Sequence, residues 1–244
     1  MANYDCFVFA GHGDGDSGAV GNGYKEHEQA LILTNKVAKL LTDSGLKVQT
    51  GYNNYNKKLT SGNTYKYKFG YSIHLNAATA AANGCEVYVP CGEKYLNVES
   101  NILDELAKLG FTNRGIKSRD YNTGNYINRT NGKAVSGTDY YKEIRDAWNN
   151  KVSLSLLEVC FISNANDMKL FTSKIDDIAY IIAKEIGKAC DVTVTKPVAT
   201  PATTSNVTYR VVCGSFKDKA AATARMNEIK SKTGYDCFLL AHTV

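Results

Sequence analysis

No stretch of this sequence stays apolar for anything near the roughly 20 residues that span a bilayer, so membrane insertion by a helix is not expected. The opening MANYDCFVFAGHG has neither the basic start nor the long apolar run of a secretory signal peptide. Synthesis in a cytoplasm is therefore expected, and any action outside the cell needs another release route. Paired metal-binding cysteines are also missing. The seven cysteines contain no CxxC spacing, which excludes a zinc ribbon. Cys6, Cys85 and Cys160 sit in strand-like apolar stretches and Cys190 closes a helix-like one; buried free thiols in a reducing compartment account for them. A strong charge of one sign is lacking too. The net charge of +5 is scattered along the chain, which excludes nucleic acid as an expected partner.

Proline is scarce, and its placement is informative. Two of the three prolines lie in DVTVTKPVATPATTSN, residues 191–206, a stretch that reads as an extended linker. It separates a large unit, residues 1–190, from a tail, residues 207–244. The large unit alternates between strand-like and helix-like segments. YDCFVFAG, KVQTGY, FGYSIHLNA, CEVYVP and SLSLLEVCFIS read as strands. Helices are expected over 26–44, stopped by Gly45, over 97–109, stopped by Gly110, and over 166–190. This pattern predicts an α/β fold: a central, mostly parallel sheet with helices on both faces. The tail reads as strand, helix, strand, a small βαβ unit too short to bury much surface alone.

What the large unit has in excess is glycine, concentrated in VFAGHGDGDSGAVGNGYKEHEQ, residues 8–29. Gly13, Gly15 and Gly18 satisfy GxGxxG literally. A dinucleotide site, however, needs the third glycine at a helix start. Here the loop continues to Gly23, and Asp14 and Asp16 would repel phosphate. GDSGA at 15–19 superficially matches a serine-protease block, but too little chain precedes Ser17 to supply the other triad members. No GxSxG elbow is present.

The loop can hold a metal ligand instead. His12 and His74 each leave a strand at its carboxyl end, where open α/β sheets bind ligands. Glu158 interrupts an otherwise apolar strand, a costly position for a carboxylate unless it is paired or near a cation. A catalytic zinc takes three ligands from His and Asp/Glu and keeps one position open. Of the two acids at the start of the first helix, Glu26 shares the face of Ala30, Leu33, Val37, Leu40 and Leu41. Glu28 lies about 200° round the wheel and is expected to be exposed. Glu26 is therefore the chosen third ligand, and His27 is read as a flank residue.

The blocks GHGDGDSGAVGNGYKEHEQAL, YSIHLNA, GCEVYV and LSLLEVCFISNANDMKLF resemble, in order, the signature blocks of the zinc-dependent N-acetylmuramoyl-L-alanine amidases of the Amidase_3 class. The resemblance implies one Zn²⁺ on His12, Glu26 and His74, Glu158 as catalytic glutamate, and peptidoglycan as substrate. Val159 and Cys160 stand where the family commonly has glycine, and residues 53–70 lack the arginine-containing segment found there in many members. The tail YRVVCGSFKDKAAATARMNEIKSKTGYDCFLL resembles half of a SPOR-type wall-binding domain, which implies a homodimer formed through the tail. Together these features imply a bacteriophage-type endolysin made in the bacterial host cytoplasm and released to the wall by a holin. Competing expectations are a zinc endopeptidase, a wall-binding protein with no activity, and a bacterial autolysin acting in mother-cell lysis.

Overall fold

CFVFA, apolar at all five positions, forms β1 (Cys6–Ala10), buried on both faces, as a continuous apolar run predicts for a central parallel strand. The computed structural model describes residues 4–52, 69–196 and 216–233. The chain divides into two units, Met1–Lys196 and Pro197–Val244.

In the first unit a short hairpin, β2 (Val20–Gly21) and β3 (Tyr24–Lys25), leads into α1 (Glu26–Asp43). There follow β4 (Val48–Tyr52), β5 (Phe69–Asn76), β6 (Cys85–Tyr88) and α2 (Asn97–Leu109). The unit is completed by β7 (Asn113–Arg119), β8 (Tyr126–Asn128), α3 (Lys142–Asn149), β9 (Ser153–Phe161) and α4 (Ala165–Ala189). Among the described residues seven strands form one sheet in the order β4-β1-β5-β9-β6-β7-β8. β9 against β6 and β8 against β7 are antiparallel, and the other pairs are parallel. The sheet is mostly parallel, as expected.

Helices cover both faces unequally. On one, α1, α2 and α4 bury Leu33, Val37, Leu103, Leu106, Ile178 and Ile182 over Val8, Ile73, Val87 and Leu157. On the other, the short α3 sets Ala147 against Phe7, Phe9 and Leu154, and Ile144 against Tyr88 and Leu156. The strand period of two sends Ser72, His74, Glu86 and Glu158 to this second, thinly covered face.

The expected helix boundaries hold to within a residue. Gly45 (φ +93°) and Gly110 (φ +116°) take the left-handed turns that end α1 and α2. α4 starts at Ala165 because the Asn164 side chain accepts from the N–H groups of Asn166 and Asp167, both at 3.0 Å. Asn164 also donates to the Ala80 carbonyl at 2.8 Å. Asn164→Ala is expected to cost about 1 kcal/mol, read as a fall of about 2–4 °C in thermal midpoint for a unit of this size. An unchanged midpoint would show that this cap contributes nothing.

β7, β8 and α3 lie in a region where the sequence reading assigned no element. NRGIKSR is too polar to read as a strand alone; it forms by pairing with β6. In the second unit the described helix is α5 (Lys219–Thr233), inside the helix expected there. The tail strand expected at 207–216, apart from its last residue Phe216, the one expected at 235–240, and the linker from Pro197 onward lie outside the described residues. Among the described residues no helix is long and apolar enough to cross a membrane. Cys6, Cys85, Cys91, Cys160 and Cys190 are thiols that form no disulfide among the described residues.

Candidate metal centre

After β1 the chain adds β4 on one flank and then β5 on the other. The carboxyl ends of β1 and β5 therefore form the topological switch point where open α/β sheets bind ligands. His12 stands just past β1, Glu26 opens α1, and His74 lies near the end of β5. Their ligand atoms all fall within 4.8 Å of one another.

The geometry is built from both sides of each group. His12 has φ +60°, a left-handed conformation that persists in a non-glycine residue when its surroundings hold it. Its Nδ1 lies 2.8 Å from Asp16 Oδ2, which leaves Nε2 facing Glu26 Oε2 at 3.2 Å. His74 Nδ1 faces Glu26 Oε1 at 3.0 Å. The backbone N–H of Ala19 donates to Glu26 Oε2 at 3.0 Å and that of Leu75 to Oε1 at 3.1 Å. The two imidazole rings meet edge to face at 5.1 Å between centroids. On its far side, His74 Nε2 lies 3.1 Å from Ser72 Oγ and 3.4 Å from Glu143 Oε1.

Two glycines make room for this cluster. A Cβ on Gly11 would sit 2.2–2.5 Å from three atoms of the His74 ring. One on Gly18 would lie 2.6 Å from His12 Cδ2 and 2.7 Å from Glu26 Oε2. The glycine-rich loop thus serves close approach at these positions.

Two imidazole nitrogens and a carboxylate converging at one point are a donor set suited to zinc. The electrostatics agree. Hydrogen bonding to Glu26 raises His12 to about 8 against the opposing effect of burial. Burial acts to lower His74, but Glu143 and Glu26 lift it above the usual imidazole range. Burial alone would raise Glu26, yet His12 and His74 hold it well below the usual carboxylate range. The cluster favours positive charge among its carboxylates, which a divalent cation would supply.

Glu158 is placed beside this cluster by register. In the sheet it lies opposite His74 on one side and Glu86 on the other. Burial pushes its carboxyl up to about 8, and its Oε2 is enclosed with no hydrogen-bond partner among the described residues. Glu86 differs. Burial raises it, but Lys117 at 2.5 Å, Arg114 at 2.8 Å and Tyr88 at 2.8 Å hold it below its ordinary value. Two neighbouring carboxyls are thus pushed in opposite directions by their surroundings.

The four residues singled out from the sequence meet in one place. Glu28 is exposed and pairs with Lys25 at 3.0 Å, as the helical wheel required, and His27 is not among the three clustered ligands. His242 lies outside the described residues. Sequence reasoning missed Asp16 as a partner of His12 and gave no role to Glu143 or Glu86. Asp16 follows His12 by four residues in a turn-forming stretch, a spacing that carried a usable signal.

A family model described as N-acetylmuramoyl-L-alanine amidase (Amidase_3) matches residues 7–188, well over half of the chain, and the chain belongs to that family. Residues 193–241 match the SPOR domain. Among curated Bacillus subtilis proteins, the chain is 29% identical over 171 residues to N-acetylmuramoyl-L-alanine amidase LytC, covering 66% of this chain and 30% of LytC. It is 25% identical over 244 residues to a sporulation-specific N-acetylmuramoyl-L-alanine amidase, covering 96% of this chain and 83% of that one. A match to the uncharacterized protein YqiI, 29% identical over 124 residues, covers 47% of this chain and 60% of YqiI. The chain thus spans less than two thirds of the length of YqiI and LytC. Among solved structures, Cwp6 from Clostridium difficile superposes with a TM-score of 0.59 at 25% identity, over 78% of this chain and 29% of that one. The amidase AmiC2 of Nostoc punctiforme shares the fold, with a TM-score of 0.54 at 19% identity over 78% of this chain and 99% of its own.

Proposed function

We propose that this chain hydrolyses the amide bond between the lactyl group of N-acetylmuramic acid and L-alanine in peptidoglycan. The observation that carries this reading is the convergence of His12, Glu26 and His74 within 4.8 Å, in a member of this amidase family. His12, Glu26 and His74 would hold zinc, which when bound would supply Lewis-acid chemistry to the scissile carbonyl and to the attacking water. Asp16 holds the far nitrogen of His12, and the N–H groups of Ala19 and Leu75 fix both oxygens of Glu26. Glu158 receives the proton of the attacking water at its carboxylate and returns it to the amine nitrogen that departs. In the metal-free protein burial raises this carboxyl; a cation held beside it would draw it back down toward the working pH, where a proton shuttle works best.

Mass spectrometry of digested wall tests the bond assignment. The reading expects glycan strands freed of peptide and intact stem peptides with a free L-alanine amino group. Cuts inside the stem peptide would favour an endopeptidase. A zymogram without clearing, with or without chelator, would favour a wall-binding protein that lacks activity.

The SPOR-matching tail is proposed to anchor the enzyme to the wall and to pair with a second copy. Where the enzyme acts has two readings. One is an endolysin released through a holin. The match along 96% of this chain to a sporulation-specific amidase favours the other, a bacterial enzyme of mother-cell lysis. Expression confined to sporulation would decide for the second, and expression only on phage induction for the first.

A further inference from the structure

We propose that Glu143 is a positioning residue of the metal centre: through Ser72 and directly, its carboxylate holds the Nε2–H of His74, so that Nδ1 keeps its lone pair for the ion. The inference rests on the reading of His12, Glu26 and His74 as metal ligands.

An imidazole that ligates a metal at one nitrogen carries its proton on the other, and that proton needs an acceptor. For His74 the two directions are distinct. Nδ1 faces Glu26 Oε1 inside the cluster at 3.0 Å. Nε2 points the opposite way, to Ser72 Oγ at 3.1 Å and Glu143 Oε1 at 3.4 Å. The Ser72 hydroxyl donates to Glu143 Oε2 at 3.1 Å. With its hydrogen committed to Glu143, Ser72 can only accept from Nε2–H. The relay Nε2–H to Oγ, then O–H to carboxylate, has one polarity, and that polarity fixes the tautomer that leaves Nδ1 free.

Water is a poor substitute here. The side chains of His74 and Glu143 are only 12% and 13% exposed, and Ser72 is buried. Glu143 is held in place by its helix. It stands in the first turn of α3, where the helix dipole favours a carboxylate, and its neighbour Ile144 is buried against Tyr88 and Leu156. The contrast with Glu158 separates their roles. Among the described residues Glu158 keeps an enclosed oxygen without a partner, as a reacting group requires, whereas both oxygens of Glu143 are engaged with Ser72 and His74. Asp16 stands in the same relation to His12, so each imidazole of the cluster is backed by its own carboxylate.

The test uses the 244-residue chain with zinc affinity read by competition against a chromogenic chelator, and the visible spectrum of the cobalt(II)-substituted protein as a second readout. Glu143→Ala is expected to weaken zinc binding by about 10–100-fold and to shift the cobalt bands. Glu143→Gln keeps one acceptor oxygen, which can take the Ser72 hydroxyl, but turns an NH2 group toward the Nε2–H of His74, so it is expected to bind zinc more tightly than Glu143→Ala and more weakly than the parent. Ser72→Ala cuts the relay without touching α3, and it too is expected to weaken zinc. If Glu143→Ala or Ser72→Ala folds and binds zinc with unchanged affinity and an unchanged cobalt spectrum, the proposal is overturned. It is also overturned if zinc-saturated Glu143→Ala keeps its affinity but loses turnover as completely as a Glu158 variant, since Glu143 would then belong to proton transfer. A parent chain that binds no zinc removes the ligand assignment itself, a result distinct from a parent that binds tightly and variants that do not differ from it.

Discussion

Glu158→Gln is expected to lower turnover on purified cell wall by about 10²–10⁴-fold, the usual contribution of a positioned acid–base group, with zinc content and wall binding unchanged. Glutamine keeps the shape of the side chain and removes its ability to carry a proton. The same substitution has an opposite consequence for folding. In the zinc-free protein burial raises Glu158 to about 8 from an ordinary 4.5. A carboxyl raised on folding contributes stability that is complete below the unfolded value and is lost as pH rises through the folded one. Between about pH 4.5 and 8 the zinc-free parent therefore loses stability that the glutamine variant does not, on the order of a few kcal/mol. Thermal melts of the two zinc-free proteins should nearly coincide at pH 4 and separate at pH 8, with the variant higher. A variant that turns over wall normally removes Glu158 from the reaction. One that melts below the parent at pH 8 contradicts the reading of Glu158 as a group kept for function against the interest of the fold.

Gly11→Ala is expected to abolish tight zinc binding although it alters no ligand. Gly11 does not occupy the left-handed region, so alanine meets no backbone penalty there. Its Cβ, however, would lie 2.2 Å from Cε1, 2.4 Å from Nδ1 and 2.5 Å from Nε2 of His74. That ring is already fixed by Glu26, Ser72 and Glu143, so it must leave the position that presents Nδ1. Zinc affinity should fall by at least about 100-fold, the upper end of what loss of an outer-shell partner costs. Gly15→Ala is the control. Gly15 has φ +98° and open space around its Cβ, so alanine there brings backbone strain of about 1–2 kcal/mol and leaves zinc affinity unaltered. Equal zinc affinities for both variants would show that the Gly11–His74 contact does not govern the site.

The residues that meet at the centre were legible one by one because each breaks a local rule. His12 and His74 are polar groups at the ends of apolar strands, and Glu158 is a carboxylate inside one. Glu26 lies on the apolar side of its helix, where an ordinary first-turn acid such as Glu28 does not. Glu143 breaks no such rule. It is an acid in the first turn of an eight-residue helix, indistinguishable in sequence from an exposed one. Only the packing of Ile144 and Ala147 on the sheet turns it toward His74. The central strands were likewise readable from their continuous apolar runs. The polar strands β7 and β8, toward one edge of the sheet, were not, because their stability comes from the strands they pair with rather than from their own side chains.

The most direct measurement is stepwise return of zinc to protein stripped by a chelator, with bound metal and release of L-alanine-terminated stem peptides followed together. The account predicts that activity is absent at the start, rises in proportion to bound zinc, and stops rising at one ion per chain. Full release of those peptides from protein that elemental analysis finds free of zinc and other transition ions would contradict it.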